Sequence, residues 1–160
     1  MASAVGADVV IPEPARLGAL RLAWLRLRHR RRLRVGKGVR LGRDAQVRIA
    51  RAARVELGDG CYLGEGCRVE AVEGTLRIGP RTLVGARAFV VGHAGLTLGA
   101  DCVVGDFAAV GVIAGPGAVG PVSVGERARI AAHATVASGA TVAAGSVFGS
   151  YQGLGFAPDA

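Results

Sequence analysis

The chain has 160 residues, of which 26 are Gly and only seven are aromatic, while 51% are hydrophobic, mostly aliphatic or Ala. That length suits one domain with one continuous core. No run of 18 uncharged apolar residues is present, Gly does not recur at every third position, and the aliphatic content is too high for an unfolded chain, so a membrane-spanning helix, collagen and disorder are excluded.

The first 14 residues, MASAVGADVVIPEP, lack the charged and compact apolar regions of a signal peptide and read as a flexible N-terminus. Pro12 and Pro14 then open a basic amphipathic helix over 15–34, because proline at a helix start forfeits no hydrogen bond. Leu17, Leu20, Trp24 and Leu27 recur on it at near-helical spacing, among Arg16, Arg21, Arg26, Arg28, Arg30, Arg31 and Arg32. His29, within this basic run, is read as solvated. Residues 16–54 hold 14 Arg and Lys against one acid, Asp44, so the whole chain's net +8 originates here. Such a helix suits two compatible roles: covering the first turn of the core that follows, and lying on an anionic membrane surface. Nucleic acid is not an expected partner, since neither interleaved aromatics nor a recognisable module accompanies the charge.

From residue 35 onward the chain repeats with a period of six. Aliphatic residues, most of them followed by Gly, stand at 35, 41 and 47; 57, 63 and 69; 78, 84 and 90; and 98, 104 and 110. The same position then continues unbroken at 124, 130, 136, 142, 148 and 154, with Phe148 the one aromatic in the column. Each phase slip follows a third hexad and inserts 4, 3, 2 or 8 residues. A solenoid with three six-residue sides per turn, bulging at one stacked corner, predicts this pattern. The expected fold class is an all-β parallel β-helix of about six turns over 35–155, with a short tail at 156–160. Two residues before the aliphatic positions stand mostly small ones: Val39, Ala45, Cys61, Cys67, Thr82, Ala88, Cys102, Ala108, Ala128, Ala134, Ala140 and Ser146. Period-two alternation places both columns inward. Gly60, Gly66, Gly139 and Gly145 fall where a tight corner needs positive φ.

The stretches LGDGCYLGEGCRVE, LRIGPRTLVGARAFVVGHAGLTLGADCVVGD and VSVGERARIAAHATVASGATVAAGSV resemble the hexapeptide-repeat acyltransferase superfamily. The likeness covers about residues 35–150. Within that superfamily it is nearest to sugar O-acetyltransferases of polysaccharide biosynthesis. It implies a left-handed parallel β-helix, a homotrimer, and transfer of acetyl from acetyl-CoA to a hydroxyl of a sugar or polysaccharide precursor. It also implies a histidine general base, and a pantetheine arm lying between adjacent helices against the small residues of the late turns.

Three histidines are available for that base. His93 falls at the insertion corner and is the leading candidate, with His133, at another corner, as the second. Asp106, in VVGDF, matches the start of a family stretch whose long loop carries a histidine. Here that loop, GVIAGPGAVGPVS, contains no ionisable residue. A composite site joining His93 to a neighbouring subunit's His133 is a further arrangement the resemblance allows. Ala131, Ala132, Ser138, Ala144, Gly145 and Ser146 are the small residues expected to meet the coenzyme, although Ala beside a corner also serves as a plain substitute for Gly.

No metal is expected: Cys61, Cys67 and Cys102 all fall in the inward column, and no Cys/His pair has zinc spacing. Two histidines in the solenoid are also too few for the three metal ligands of a γ-type carbonic anhydrase. Unpaired buried cysteines suit a reducing cytoplasm, with the basic helix allowing a peripheral position at the inner face of the membrane. The leading expectation is an acetyl-CoA-dependent O-acetyltransferase. The alternative is a non-catalytic β-helix acting as scaffold or partner subunit, which the empty loop favours.

Overall fold

A computed structural model describes residues 6–10 and 15–149, with side chains described at 19–20 and from 22 onward. The tail at 156–160 and the last aliphatic position, Leu154, lie outside the described residues. Strand β1 (Gly6–Val10) and helix α1 (Ala15–Arg28) precede the solenoid. Its turns are β2 (Leu33–Val35), β3 (Arg40–Leu41), β4 (Gln46–Ala50); β5 (Ala53–Leu57), β6 (Tyr62–Leu63), β7 (Arg68–Ala71); and β8 (Gly74–Ile78), β9 (Leu83–Val84), β10 (Phe89–Gly92). There follow β11 (Leu96–Leu98), β12 (Val103–Val104), β13 (Ala109–Val112); β14 (Val122–Val124), β15 (Arg129–Ile130), β16 (Thr135–Ala137); and finally β17 (Thr141–Val142), β18 (Val147–Phe148).

Every third strand stacks on the one before, giving three parallel sheets that are the faces of a three-sided solenoid of about six turns. Face B starts each turn, face C follows, and face A closes it. The hexad register is reproduced residue by residue. Val35, Leu57, Ile78, Leu98, Val124 and Val142 form one column on face B. Leu41, Leu63, Val84, Val104, Ile130 and Phe148 form the column on face C. Val47, Val69, Val90, Val110 and Val136 form that on face A. All are buried except Val35 and Phe148, which are partly so.

The second inward column is small on faces A and C, as expected. On face B it is large: Leu33, Val55, Leu76, Leu96 and Val122 are buried there. One side of the triangle is therefore filled by bulky pairs and the other two by large–small pairs, so that side chains from three directions share one core. Among the described residues the three cysteines are free and buried within this core. Burial pushes the Cys67 thiol up to about 12 and raises those of Cys61 and Cys102.

Gly after the aliphatic position is required by the next turn rather than by its own φ. A Cβ on Gly42 would stand 2.6 Å from the Glu65 backbone nitrogen, and one on Gly64 2.7 Å from the Val84 carbonyl oxygen. Gly111 is a different case, with φ +85 and a Cβ position that collides with the Val91 carbonyl oxygen. It lies where the β13–β16 register shifts, and so launches the long insertion that follows.

The N-terminal end departs from expectation in three ways. The helix ends at Arg28, not 34, and the chain turns through hydrogen bonds from the Arg32 and Leu33 amides to the His29 carbonyl (both 2.7 Å). Leu20, Trp24 and Leu27 do not face the solenoid; they are 69%, 52% and 74% exposed. The helix packs instead through Leu22 and Leu25, which join the core, and through His29, only 5% exposed. The reading of His29 as solvated is thus corrected: burial first, then the charges of Arg32 and Arg28, hold its imidazole below the usual range. Two donors from Arg26 Nη2 to the Val35 and Gly36 carbonyls (both 2.8 Å) fasten the helix to the first turn. Within the stretch read as a flexible N-terminus, residues 6–10 instead form β1, which pairs antiparallel with β4 and covers the open edge of face A.

Candidate functional site

Each turn passes three corners, and residues that share a corner are about one turn apart in sequence. The expected site residues therefore sort by corner, not by sequence proximity. Ala131, Ala132, His133 and Asp106 stand together at the C–A corner. His93 and Ser138 stand at the A–B corner, with the long loop between β13 and β14. Ala144, Gly145 and Ser146 stand at the B–C corner. His93 and His133 of one chain are thus at opposite edges of face A and are not brought together.

The B–C and C–A corners share one backbone design. An amide of one turn donates to a carbonyl of the turn before, as in Asp101 to Pro80 (2.9 Å) and His133 to Asp106 (3.0 Å). The donating residue adopts positive φ. Gly fills this position at several levels, but Arg81, Arg87, Asp101, Phe107, Arg127 and His133 adopt it too, and Asp44 adopts the same φ in the first turn, where no turn precedes it, all with φ of 55 to 62. Positive φ is uncommon for such side chains, and where a turn precedes, the corner hydrogen bonds enforce it.

At the B–C corner the αL side chains make an ion pair. Arg81 donates through Nε and Nη2 to the two carboxylate oxygens of Asp101, at 2.7 and 2.9 Å. This hydrogen bond, then the charges of Arg81 and Arg127, holds the Asp101 carboxyl below its ordinary range. At the C–A corner the αL side chains stack. The guanidinium of Arg87 lies 5.8 Å from the centroid of Phe107, and the imidazole of His133 lies on its other neighbour position, 5.1 Å away with the ring planes within 2°. Phe107 and His133 are both exposed. The result is an exposed imidazole stacked on the ring of Phe107.

Asp106 has a defined task at this corner. Its Oδ1 accepts the Ala86 amide at 2.8 Å, as Asp59 Oδ1 accepts the Lys37 amide at 2.7 Å at the other corner. Its carboxylate joins two turns, and its backbone carbonyl holds His133 in place. The hydroxyls considered for the coenzyme are likewise engaged by the chain. Ser138 Oγ bonds both the amide and the carbonyl of Gly120 (3.1 Å each), strapping the long loop to the next turn. Ser146 Oγ donates to the Ala143 carbonyl at 2.6 Å. His93 is half-buried at its corner, where the surrounding turns are joined through the Val72, Glu73 and Gly95 amides.

Phe107 is the residue that sequence reasoning passed over. The available signal was its position: it stands at the same step of its hexad as His133, and the register alone makes them neighbours. Among the described residues no group of three or more His, Cys, Asp or Glu side chains is placed to hold a metal ion, and no helix is long and apolar enough to cross a membrane. Comparison with protein-family models, with curated proteins and with solved structures yielded no match to the chain.

Proposed function

We propose that the chain is an acyltransferase of the hexapeptide-repeat kind, left-handed and trimeric like that superfamily, which moves acetyl from acetyl-CoA to a hydroxyl of a sugar or polysaccharide precursor. The observation that carries the reading is the C–A corner, where an exposed, oriented imidazole stands beside two alanines. A general base needs a fixed direction and access to the acceptor, and stacking on Phe107 supplies the first while exposure supplies the second. This favours His133 over His93 as the base.

In this mechanism His133 takes the proton of the acceptor hydroxyl as its oxygen attacks the thioester carbonyl. The amides of Ala131, His133 and Ala134 are committed within the fold, so the Ala132 amide is the donor of this corner that meets the oxyanion. Collapse breaks the C–S bond, the imidazolium returns its proton to the leaving thiolate, and the products are an O-acetyl ester and CoA. Ala131 and Ala132 add nothing beyond Cβ, so a pantetheine arm can approach the backbone there. Exposed Leu83 and Val147 on face C, with Ile113 and Val119 in the long loop, supply apolar surface for contacts between subunits.

The scaffold reading rests on the long loop, which bears no ionisable side chain and is tied down by Ser138. Calorimetric titration of the full chain with acetyl-CoA decides between them. Saturable binding in roughly the micromolar to millimolar range typical of enzyme substrates supports the acyltransferase; absence of binding overturns it and leaves the scaffold.

A further inference from the structure

Helix α1 carries two apolar stripes, and the solenoid uses only one. At about 100° per residue, Leu22, Leu25 and His29 lie on one side of the helix, and Leu20, Trp24 and Leu27 lie roughly opposite. The first stripe is buried and the second is more than half exposed at every position. An exposed stripe of two leucines and a tryptophan is costly to leave in water unless something covers it.

The charge around it says what. Arg28 lies over the Trp24 ring at 5.0 Å. Just beyond the helix end, Arg30 and Arg31 are exposed, and with Leu27, Arg28, His29 and Arg32 they line a cavity of about 220 Å³. Cationic side chains thus border the stripe and surround a concavity at its end. Within 16–54 the only acid is Asp44. A second copy of so basic a face would be repelled, and an anionic partner attracted.

We propose that the outward face of α1 docks the protein on an anionic lipid bilayer. Leu20, Trp24 and Leu27 enter the boundary between headgroups and acyl chains, and the cavity walled by Arg28, Arg30 and Arg31 receives a lipid phosphate. Tryptophan and arginine both suit this position, one with an apolar body and polar edge, the other with an apolar stem and charged tip. Arg26 is not part of the contact, because its guanidinium is committed to the Val35 and Gly36 carbonyls. The solenoid-facing stripe keeps the helix in place while the other side is in the membrane, so capping and docking use separate residues.

Trp24 is the chain's single tryptophan and reports the contact directly. The full chain is mixed with vesicles of phosphatidylcholine alone, or with about a third phosphatidylglycerol, and Trp emission and co-sedimentation are followed. The proposal expects a blue shift and sedimentation only with the anionic vesicles, both weakened by added salt. Each arginine near the surface contributes about fivefold to binding, so Arg30→Glu with Arg31→Glu should lower vesicle affinity by at least roughly 25-fold. Leu20→Ser with Leu27→Ser should abolish the blue shift while leaving circular dichroism and melting unchanged, because neither leucine packs on the core. Arg127→Glu, on a late turn, should leave binding intact. Equal binding to neutral vesicles, or none to anionic ones, overturns the proposal. So does a concentration-dependent blue shift without vesicles, which would indicate a second copy, or loss of vesicle binding to a modest excess of duplex DNA. A blue shift produced by glycerol phosphate alone would assign the cavity to a free phosphate and likewise overturn membrane docking.

Discussion

The B–C and C–A corners of this solenoid have the same backbone and opposite uses for it. Both stack by amide-to-carbonyl bonds between turns, both use an Asp carboxylate to catch an amide of the turn before, and both force non-glycine side chains into positive φ. At the B–C corner the side chains so presented, Arg81 and Asp101, satisfy one another. At the C–A corner they form a row of Arg87, Phe107 and His133 in which the last imidazole has no ionic partner among the described residues. The same regular scaffold thus yields a closed, self-satisfied edge and an edge with an unspent functional group. Chemistry on a repeat protein is most readily sought where the ladder is left open.

If the corners share a backbone, a Cβ inserted at equivalent glycines should damage both equally. Gly105→Ala would drive a methyl into the Ala132 backbone and Gly99→Ala into that of Glu126. Each should cost about 2–3 kcal/mol by overpacking, read by denaturant unfolding; a cost at one corner alone would break the equivalence. Next in size, Phe107→Ala should leave unfolding nearly unchanged but lower turnover about tenfold by freeing the His133 ring, a fraction of the roughly 10²–10⁴-fold that a positioned base contributes. Phe107→Tyr should restore it, and equal turnover in Phe107→Ala would show that stacking does not position the base. The smallest effect belongs to the ion pair. Asp101→Asn should lower the melting temperature slightly, in a way that high salt removes. Because the Asp101 carboxyl is held below its unfolded range, its contribution is present above the ordinary carboxylate pKa and disappears as the pH falls through its folded value. Asp101→Asn should therefore flatten the acid limb of the stability profile, and an unchanged limb would show that the pair does not stabilise the fold.

The repeat register was legible in sequence because side chains of six-residue sides reveal period and phase directly. The four three-hexad blocks, each ended by an insertion, also located the bulging corner. What periodicity could not rank was α1. Both Leu20–Trp24–Leu27 and Leu22–Leu25–His29 have helical spacing, and only contact with β2 and β3 decides which faces inward. His29 stands among Arg28, Arg30, Arg31 and Arg32, a run whose composition reads as solvated, and it is buried because it continues the stripe that packs on the first turn. The candidate site was legible only in parts. Ala131 to Ser146 are close in sequence, yet successive hexads lie on different faces, so that run spreads over three corners. Asp106 and His133, 27 residues apart, are neighbours because a long insertion separates adjacent turns. Strand β1 had no periodic signal of its own; its place on the edge of face A follows from pairing with β4.

The central claim is that His133, on the open corner, is the catalytic base. Release of CoA thiol from acetyl-CoA in the presence of a pool of mono- and oligosaccharide acceptors tests it most directly. The chain's own three cysteines are buried with raised pKa values and add little thiolate to the readout. The account predicts that His133→Ala lowers kcat by about 10²–10⁴-fold with acetyl-CoA binding and melting unchanged, while His93→Ala stays near the unsubstituted protein. Full turnover in His133→Ala, or a comparable loss in His93→Ala alone, would contradict it.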